Sequence, residues 1–211
     1  AHGAPEQFTR TPEREGVCEH RRMANVVVFC GSSSGTAPAF RDAADELGTE
    51  IGTSGHRLVY GGGSVGLMGI VADATMRAGG EVVGVITEQL HALEVAHDGL
   101  DELVIESTMH ARKARMASMA EGVVVLPGGF GTYDEVFEIL TWNQLGLVST
   151  PVVFLDVDGF YAPLLDFVRN AARAGFMKPD HAGLAGRATN AVDAVDLATR
   201  PAAAFTPKWV G

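Results

Sequence analysis

The sequence predicts an α/β protein with a Rossmann-like, doubly wound and largely parallel sheet of about seven strands flanked by helices. Short, nearly all-apolar runs such as Ala24 to Cys30 are the pattern of strands covered on both faces. Between them lie longer segments with apolar residues at three- and four-residue steps, as in Phe40, Ala44, Leu47 and Ile51. Consecutive parallel strands need helical crossovers of this kind. Glycine-rich loops follow three of the apolar runs, and ligands of such sheets bind beyond the carboxyl ends of the strands.

The elements follow in order. The first strand, Ala24 to Cys30, leads through Gly31-Ser32-Ser33-Ser34-Gly35 into a helix from Pro38 to about Thr53. Arg57 to Tyr60 is a second strand, followed by Gly61-Gly62-Gly63-Ser64-Val65-Gly66 and a helix from Leu67 to Arg77 that Gly79-Gly80 closes. Glu81 to Ile86 is the third strand. Thr87 to Gly99 lacks a regular period and reads as a loop with a short helix. Leu103 to Glu106 is the fourth strand, Met109 to Ala120 a helix, and Gly122 to Leu126 the fifth strand. Pro127 to Gly131 then opens a helix that runs to Leu145 and stops at Gly146. Pro151 to Leu155 gives a sixth strand, Phe160 to Ala174 a helix, and Asp180 to Leu184 a seventh strand. Thr189 is the expected cap of a last helix from Ala191 to Thr199, with Pro201 against its continuation.

The 211 residues fit one domain, expected over residues 23–200 between tails at 1–22 and 201–211. A formal net charge of −10, from 26 acidic and 16 basic residues, disfavours a surface built for DNA or RNA. A small phosphorylated ligand remains compatible, since one cluster of arginine and N–H groups acts locally. Cys18 and Cys30 have no zinc or disulfide spacing and read as two free thiols in a reducing compartment. No signal peptide or membrane span is legible, so the expectation is a cytoplasmic protein without membrane partners. The scattered acidic residues and histidines imply no metal, and no cofactor is expected.

Three glycine-rich loops at strand-to-helix junctions suit a phosphate. Glycine removes the Cβ that would hold an anion away from backbone N–H groups, and the helix behind adds unpaired N–H groups and a favourable dipole end. The loops match neither a dinucleotide fingerprint on the first strand nor a triphosphate-binding P-loop. Ser32, Gly62, Gly63, Gly129, Gly131 and Thr132 are the expected contacts of the phosphorylated ligand, with Met109 and Lys113 in the same binding set.

At the fifth loop, Pro127-Gly128-Gly129-Phe130-Gly131-Thr132-x-x-Glu135 resembles the PGGxGTxxE motif of the LOG family, the cytokinin riboside 5′-monophosphate phosphoribohydrolases, often labelled "lysine decarboxylase-like". Phe29 to Gly35, Tyr60 to Gly69, Met109 to Lys113 and Thr141 to Gly146 resemble further segments of that family, so the likeness covers roughly residues 24 to 200. The resemblance implies a homodimer and hydrolysis of an N6-substituted adenosine 5′-monophosphate to free cytokinin and ribose 5-phosphate. It also implies Arg112 and Glu135 as the catalytic pair. Asp134 and Ala111 stand where the family commonly has glutamate.

The residue chemistry suits that assignment. Breaking a ribosidic C–N bond creates an oxocarbenium-like centre, which a carboxylate stabilises while orienting or deprotonating water. Glu135 is expected in the first turn of its helix, ionised by the dipole. Arg112 fits two roles, gripping phosphate bidentately or pairing with Glu135, between which the sequence does not choose. Phe130 and Trp142 fit subunit contact or packing as well as base stacking. A pyridoxal phosphate decarboxylase would need an aldimine lysine, for which Lys113 is the sole candidate among the glycine loops. The other readings are a hydrolase of AMP or another purine nucleotide, and a nonenzymatic nucleotide-binding or carrier protein.

Overall fold

Valine supplies the centre of the sheet. The first apolar run becomes β1 (Asn25–Phe29), its last four residues buried, in a computed structural model that describes residues 22–93 and 96–202. The chain continues as α1 (Pro38–Thr53), β2 (Arg57–Tyr60), α2 (Gly66–Arg77), β3 (Val82–Thr87), α3 (Glu88–Ala92) and β4 (Glu102–Glu106). Then come α4 (Met109–Met119), β5 (Gly122–Val125), α5 (Phe130–Leu145), β6 (Val152–Leu155), α6 (Ala162–Arg173), β7 (Ala185–Ala188) and α7 (Ala191–Thr199). The expected tails, with Cys18 in the first, lie almost wholly outside the described residues.

The seven strands form one sheet in the order β4-β3-β2-β1-β5-β6-β7, and every pairing between them is parallel. The winding reverses between β1 and β5, which makes the crevice beyond their carboxyl ends the topological switch point. Their register pairs Phe29 with Val125, so the two strands end level and their loops emerge side by side. Leu47 and Ile51 of α1, Val71 of α2 and Val195 of α7 cover one face of the sheet. Met116 of α4, Val136 and Ile139 of α5 and Leu165 of α6 cover the other. Burying one such side chain is worth roughly 1.5–3 kcal/mol, so the valine-rich strands hold the sheet from its middle.

The structure corrects three readings at the β6 to α7 end. The seventh strand is Ala185–Ala188, not 180–184, which forms part of a 3₁₀ turn, Pro179–Leu184. Ala-Gly-Arg-Ala has almost no β propensity, and it is held by its ladder to β6. The helix expected from Phe160 begins at Ala162, behind a short 3₁₀ turn, Val157–Gly159, in which Asp158 takes a left-handed φ of 51°. The cap of α7 is Asn190 rather than Thr189: its side chain accepts the Asp193 N–H at 2.9 Å. The short helix expected after Thr87 is present as α3, and Gly146 ends α5 with φ 72°.

Candidate active site

Arg112 and Glu135 meet at the carboxyl edge of the sheet. Arg112 sits in the first turn of α4, which Thr108 starts by accepting the Ala111 N–H at 3.1 Å. Its guanidinium reaches back over the ends of β2 and β3, where Nε donates to the Val85 carbonyl at 2.8 Å and Nη2 to the Gly61 carbonyl at 3.3 Å. Nη1 donates to Glu135 Oε1 at 2.7 Å and faces Met109 Sδ at 3.4 Å. The Arg112 and Glu135 side chains are 8% and 14% exposed. Arginine has five N–H donors, and these contacts engage four. A bidentate grip on phosphate would therefore break bonds already made, whereas orienting Glu135 uses the arrangement as it stands.

Glu135 lies beyond the first turn of α5, which starts at Phe130, so the dipole does not set its charge as expected from the sequence. Burial raises its carboxyl pKa, and the opposing charge and hydrogen bond of Arg112 only partly offset that rise. Burial likewise pushes the Cys30 thiol up, with the Glu135 charge adding to it, so Cys30 is a protonated core residue.

The loops are joined by main chain. Gly31 N–H donates to the Pro127 carbonyl at 3.0 Å, and Leu67 N–H to the Gly31 carbonyl at 3.1 Å. Gly66 has φ 63°, and a Cβ there would overlap the Ser32 carbonyl, so glycine is what lets the second loop lie against the first. The Thr132 side chain is buried against Gly128, where a Cβ would overlap its hydroxyl. Ser32, Ser33, Gly35 and Gly129 line a cleft of about 270 Å³ with Phe40 and Phe160, two rings in edge-to-face contact at 5.6 Å. Gly129 and Gly131 differ from Gly31, Gly35, Gly61, Gly62, Gly66 and Gly128: neither has a positive φ, and a Cβ on either would meet nothing within 4 Å.

The expected residues thus divide. Met109 touches Arg112, Gly62 and Gly63 continue the turn whose Gly61 carbonyl holds that arginine, and Ser32 and Gly129 share the cleft. Lys113 turns elsewhere, to Asp134 Oδ2 at 2.9 Å and Glu138 Oε2 at 3.3 Å on α5. The hydrogen bond to Asp134 raises its pKa against burial, the reverse of the neutral amine an aldimine lysine supplies. Phe130 is 93% exposed, whereas Met116 is fully buried. The sequence reading missed Phe160 and its support. Asp156 Oδ1 accepts the Tyr161 N–H at 2.6 Å, Arg187 Nε donates to Asp156 Oδ2 at 2.7 Å, and Tyr161 donates its hydroxyl to the Leu126 carbonyl at 2.7 Å. The Val157-Asp158-Gly159 turn was the one available signal.

A family model described as "Possible lysine decarboxylase" matches residues 68–198. The chain is 46% identical over 176 residues, 83% of its length and 78% of the relative's, to a protein of Oryza sativa subsp. japonica named "Probable cytokinin riboside 5'-monophosphate phosphoribohydrolase LOGL9". It is 44% identical over 174 residues, 82% of its length and 76% of the relative's, to the cytokinin riboside 5'-monophosphate phosphoribohydrolase LOG5 of Arabidopsis thaliana. The chain belongs to the LOG family. Among solved structures, this LOG-family fold is similar to the molybdenum cofactor carrier protein of Chlamydomonas reinhardtii, at 26% identity and a TM-score of 0.63, over 83% of this chain and 95% of that one. No helix of the described residues is long and apolar enough to cross a membrane.

Proposed function

We propose that this chain hydrolyses the N-glycosidic bond of N6-substituted adenosine 5′-monophosphates, releasing the free cytokinin base and ribose 5-phosphate. The observation that carries the reading is the buried 2.7 Å pair of Arg112 and Glu135 beside the glycine loops at the switch point. The names of the relatives point the same way.

The 5′-phosphate is held by N–H groups of the loops and the start of α5, with Ser32, Gly129, Gly131 and Thr132 as its nearest groups. Gly129 and Gly131 support this, because the fold has room for a side chain at both and the approach of an anion does not. Gly62 and Gly63 adjoin the ribose and Met109 the base. Arg112 orients Glu135, and Lys113 fixes α4 against α5. As the C1′–N9 bond breaks, its electron pair leaves with the base, which takes a proton from solvent. Ionised Glu135 stabilises the positive charge at C1′ and accepts a proton from the water whose oxygen bonds to C1′. The proposed enzyme is a cytoplasmic homodimer, its self-association supported by the exposed apolar residues Met109, Phe130 and Phe137 on α4 and α5.

Chromatography of the products from isopentenyladenosine monophosphate, AMP, GMP and CMP tests the reading. Base and ribose 5-phosphate in equal amounts, with isopentenyladenosine monophosphate the preferred substrate, is the expected result. Preference for AMP would favour the broader purine nucleotide hydrolase, and a requirement for inorganic phosphate would indicate phosphorolysis instead. A second reading, a nonenzymatic nucleotide-binding protein, draws on the likeness to the Chlamydomonas carrier. Ligand retention without release of any base would favour it.

A further inference from the structure

His97 lies outside the site described above but is joined to it through the main chain. It belongs to the connection between α3 and β4. Its N–H donates to the Gly62 carbonyl at 2.9 Å, and Ala96 forms an isolated antiparallel bridge with Gly63. The connection therefore runs along the glycine turn that ends β2.

The His97 ring is fixed at both nitrogens. Nε2 is 3.1 Å from Asp73 Oδ1 on α2, and Nδ1 is 2.6 Å from the Asp98 carbonyl oxygen. A carboxylate and a carbonyl both accept, so whichever ring nitrogen carries a proton donates to the group it faces. The His97 side chain is 11% exposed and that of Asp73 is 56% exposed, so water partly screens the pair and its effect is modest.

The turn it holds is the one that holds Arg112. The Gly61 carbonyl accepts from Arg112 Nη2, and a Cβ on Gly61 would overlap that nitrogen. The Gly61 and Val85 carbonyls are the two main-chain groups that hold the guanidinium against Glu135. We propose that Asp73 and His97 form a latch that keeps the Gly61–Gly63 turn in register and so positions Arg112, and through it Glu135, for cleavage. The catalytic half of this inference rests on the hydrolase reading above. The latch itself is a property of the fold, and Asp73 and His97 are positioning residues that touch neither member of the catalytic pair in the contacts described.

The test uses Asp73→Asn, His97→Ala, their combination and Asp73→Glu in the full chain, with two readouts. Hydrogen exchange at the residue 97 amide should quicken roughly fivefold in Asp73→Asn while that of Val59 in β2 stays unchanged. Turnover of the nucleotide should fall about tenfold in His97→Ala, with KM within about twofold. Asp73→Asn should lower turnover severalfold by itself but add nothing in the His97→Ala background, since the two residues act as one unit, and Asp73→Glu, which keeps the charge, should lose less turnover than Asp73→Asn. Asp73→Asn is nearly isosteric, so it keeps the test open even where His97→Ala folds poorly. Unchanged exchange at residue 97 overturns the latch whatever the turnover. Faster exchange with unchanged kcat, or losses that multiply in the double variant, overturns the positioning role. Absence of base release by the wild type overturns the hydrolase reading and the positioning role with it, while exchange still decides the latch.

Discussion

Glu135 and Arg112 stand 23 positions apart with β5 between them, yet each is the other's charged partner in a nearly closed space. Glu135→Gln removes the negative charge with little change of shape. Nucleotide binding should persist while kcat falls about 10²–10³-fold, the scale for losing a group that stabilises transition-state charge. Turnover within about twofold of wild type would sink the mechanism. Arg112→Ala should lower kcat more than it raises KM, and a preference for the dephosphorylated riboside in the wild type would remove the phosphate assignment.

Acid should report on the same carboxyl. Its pKa is raised in the fold, chiefly by burial, and the reaction needs the ionised form. The acid limb of kcat/KM should therefore lie above the ordinary glutamate value of about 4.3, and move higher still in Arg112→Gln, which removes the opposing charge. A limb at or below that value would contradict the burial argument. By linkage, this shift contributes stability that is present below the unfolded pKa and is lost as pH rises through the folded one. The motif made both residues legible. The direction of the shift was not legible, because it comes from burial by segments distant in sequence.

At the scale of elements, the glycines separate folding from function. Gly66→Ala places a side chain at positive φ against the Ser32 backbone, which should cost about 2–4 kcal/mol in urea unfolding. Gly131→Ala enters open space on a helix, so stability should stay within about 1 kcal/mol, while KM for the nucleotide rises if phosphate approaches there. Equal stability losses in the two variants would undo that distinction. Strands rich in valine were legible because they are buried on both faces. Ala185–Ala188 was not, since it lies at the sheet edge and owes its form to β6. His97 escaped notice because its connection has no period, and its partner Asp73 belongs to a helix read separately.

At the scale of the molecule, Phe130, Phe137 and Met109 are exposed apolar residues on α4 and α5 in a chain of net charge −10. Exposed apolar residues of this kind are what the proposed dimer would cover. Sedimentation at micromolar concentration should give a dimer, and Phe130→Asp should weaken it; a monomeric wild type would refute the assembly. The parallel sheet with helices on both faces was legible from alternation, because consecutive parallel strands need helical crossovers; the strand order, and so the switch point, was not. How the two halves meet was not, since that depends on Phe29 and Val125 ending level.

The bonds that tie Gly31 to Pro127 and to Leu67 use no side chain. Side chains around the cleft, such as those of Ser33 and Phe40, can therefore change without breaking these bonds, whereas Gly66 and Gly128 cannot. The start of α5 is where the phosphate grip is proposed, and Glu135 stands on the same helix. Holding a ligand and cleaving it are thus tied to one element: a descendant could exchange Glu135 and lose turnover, but a change that displaces the head of α5 would take the grip with it.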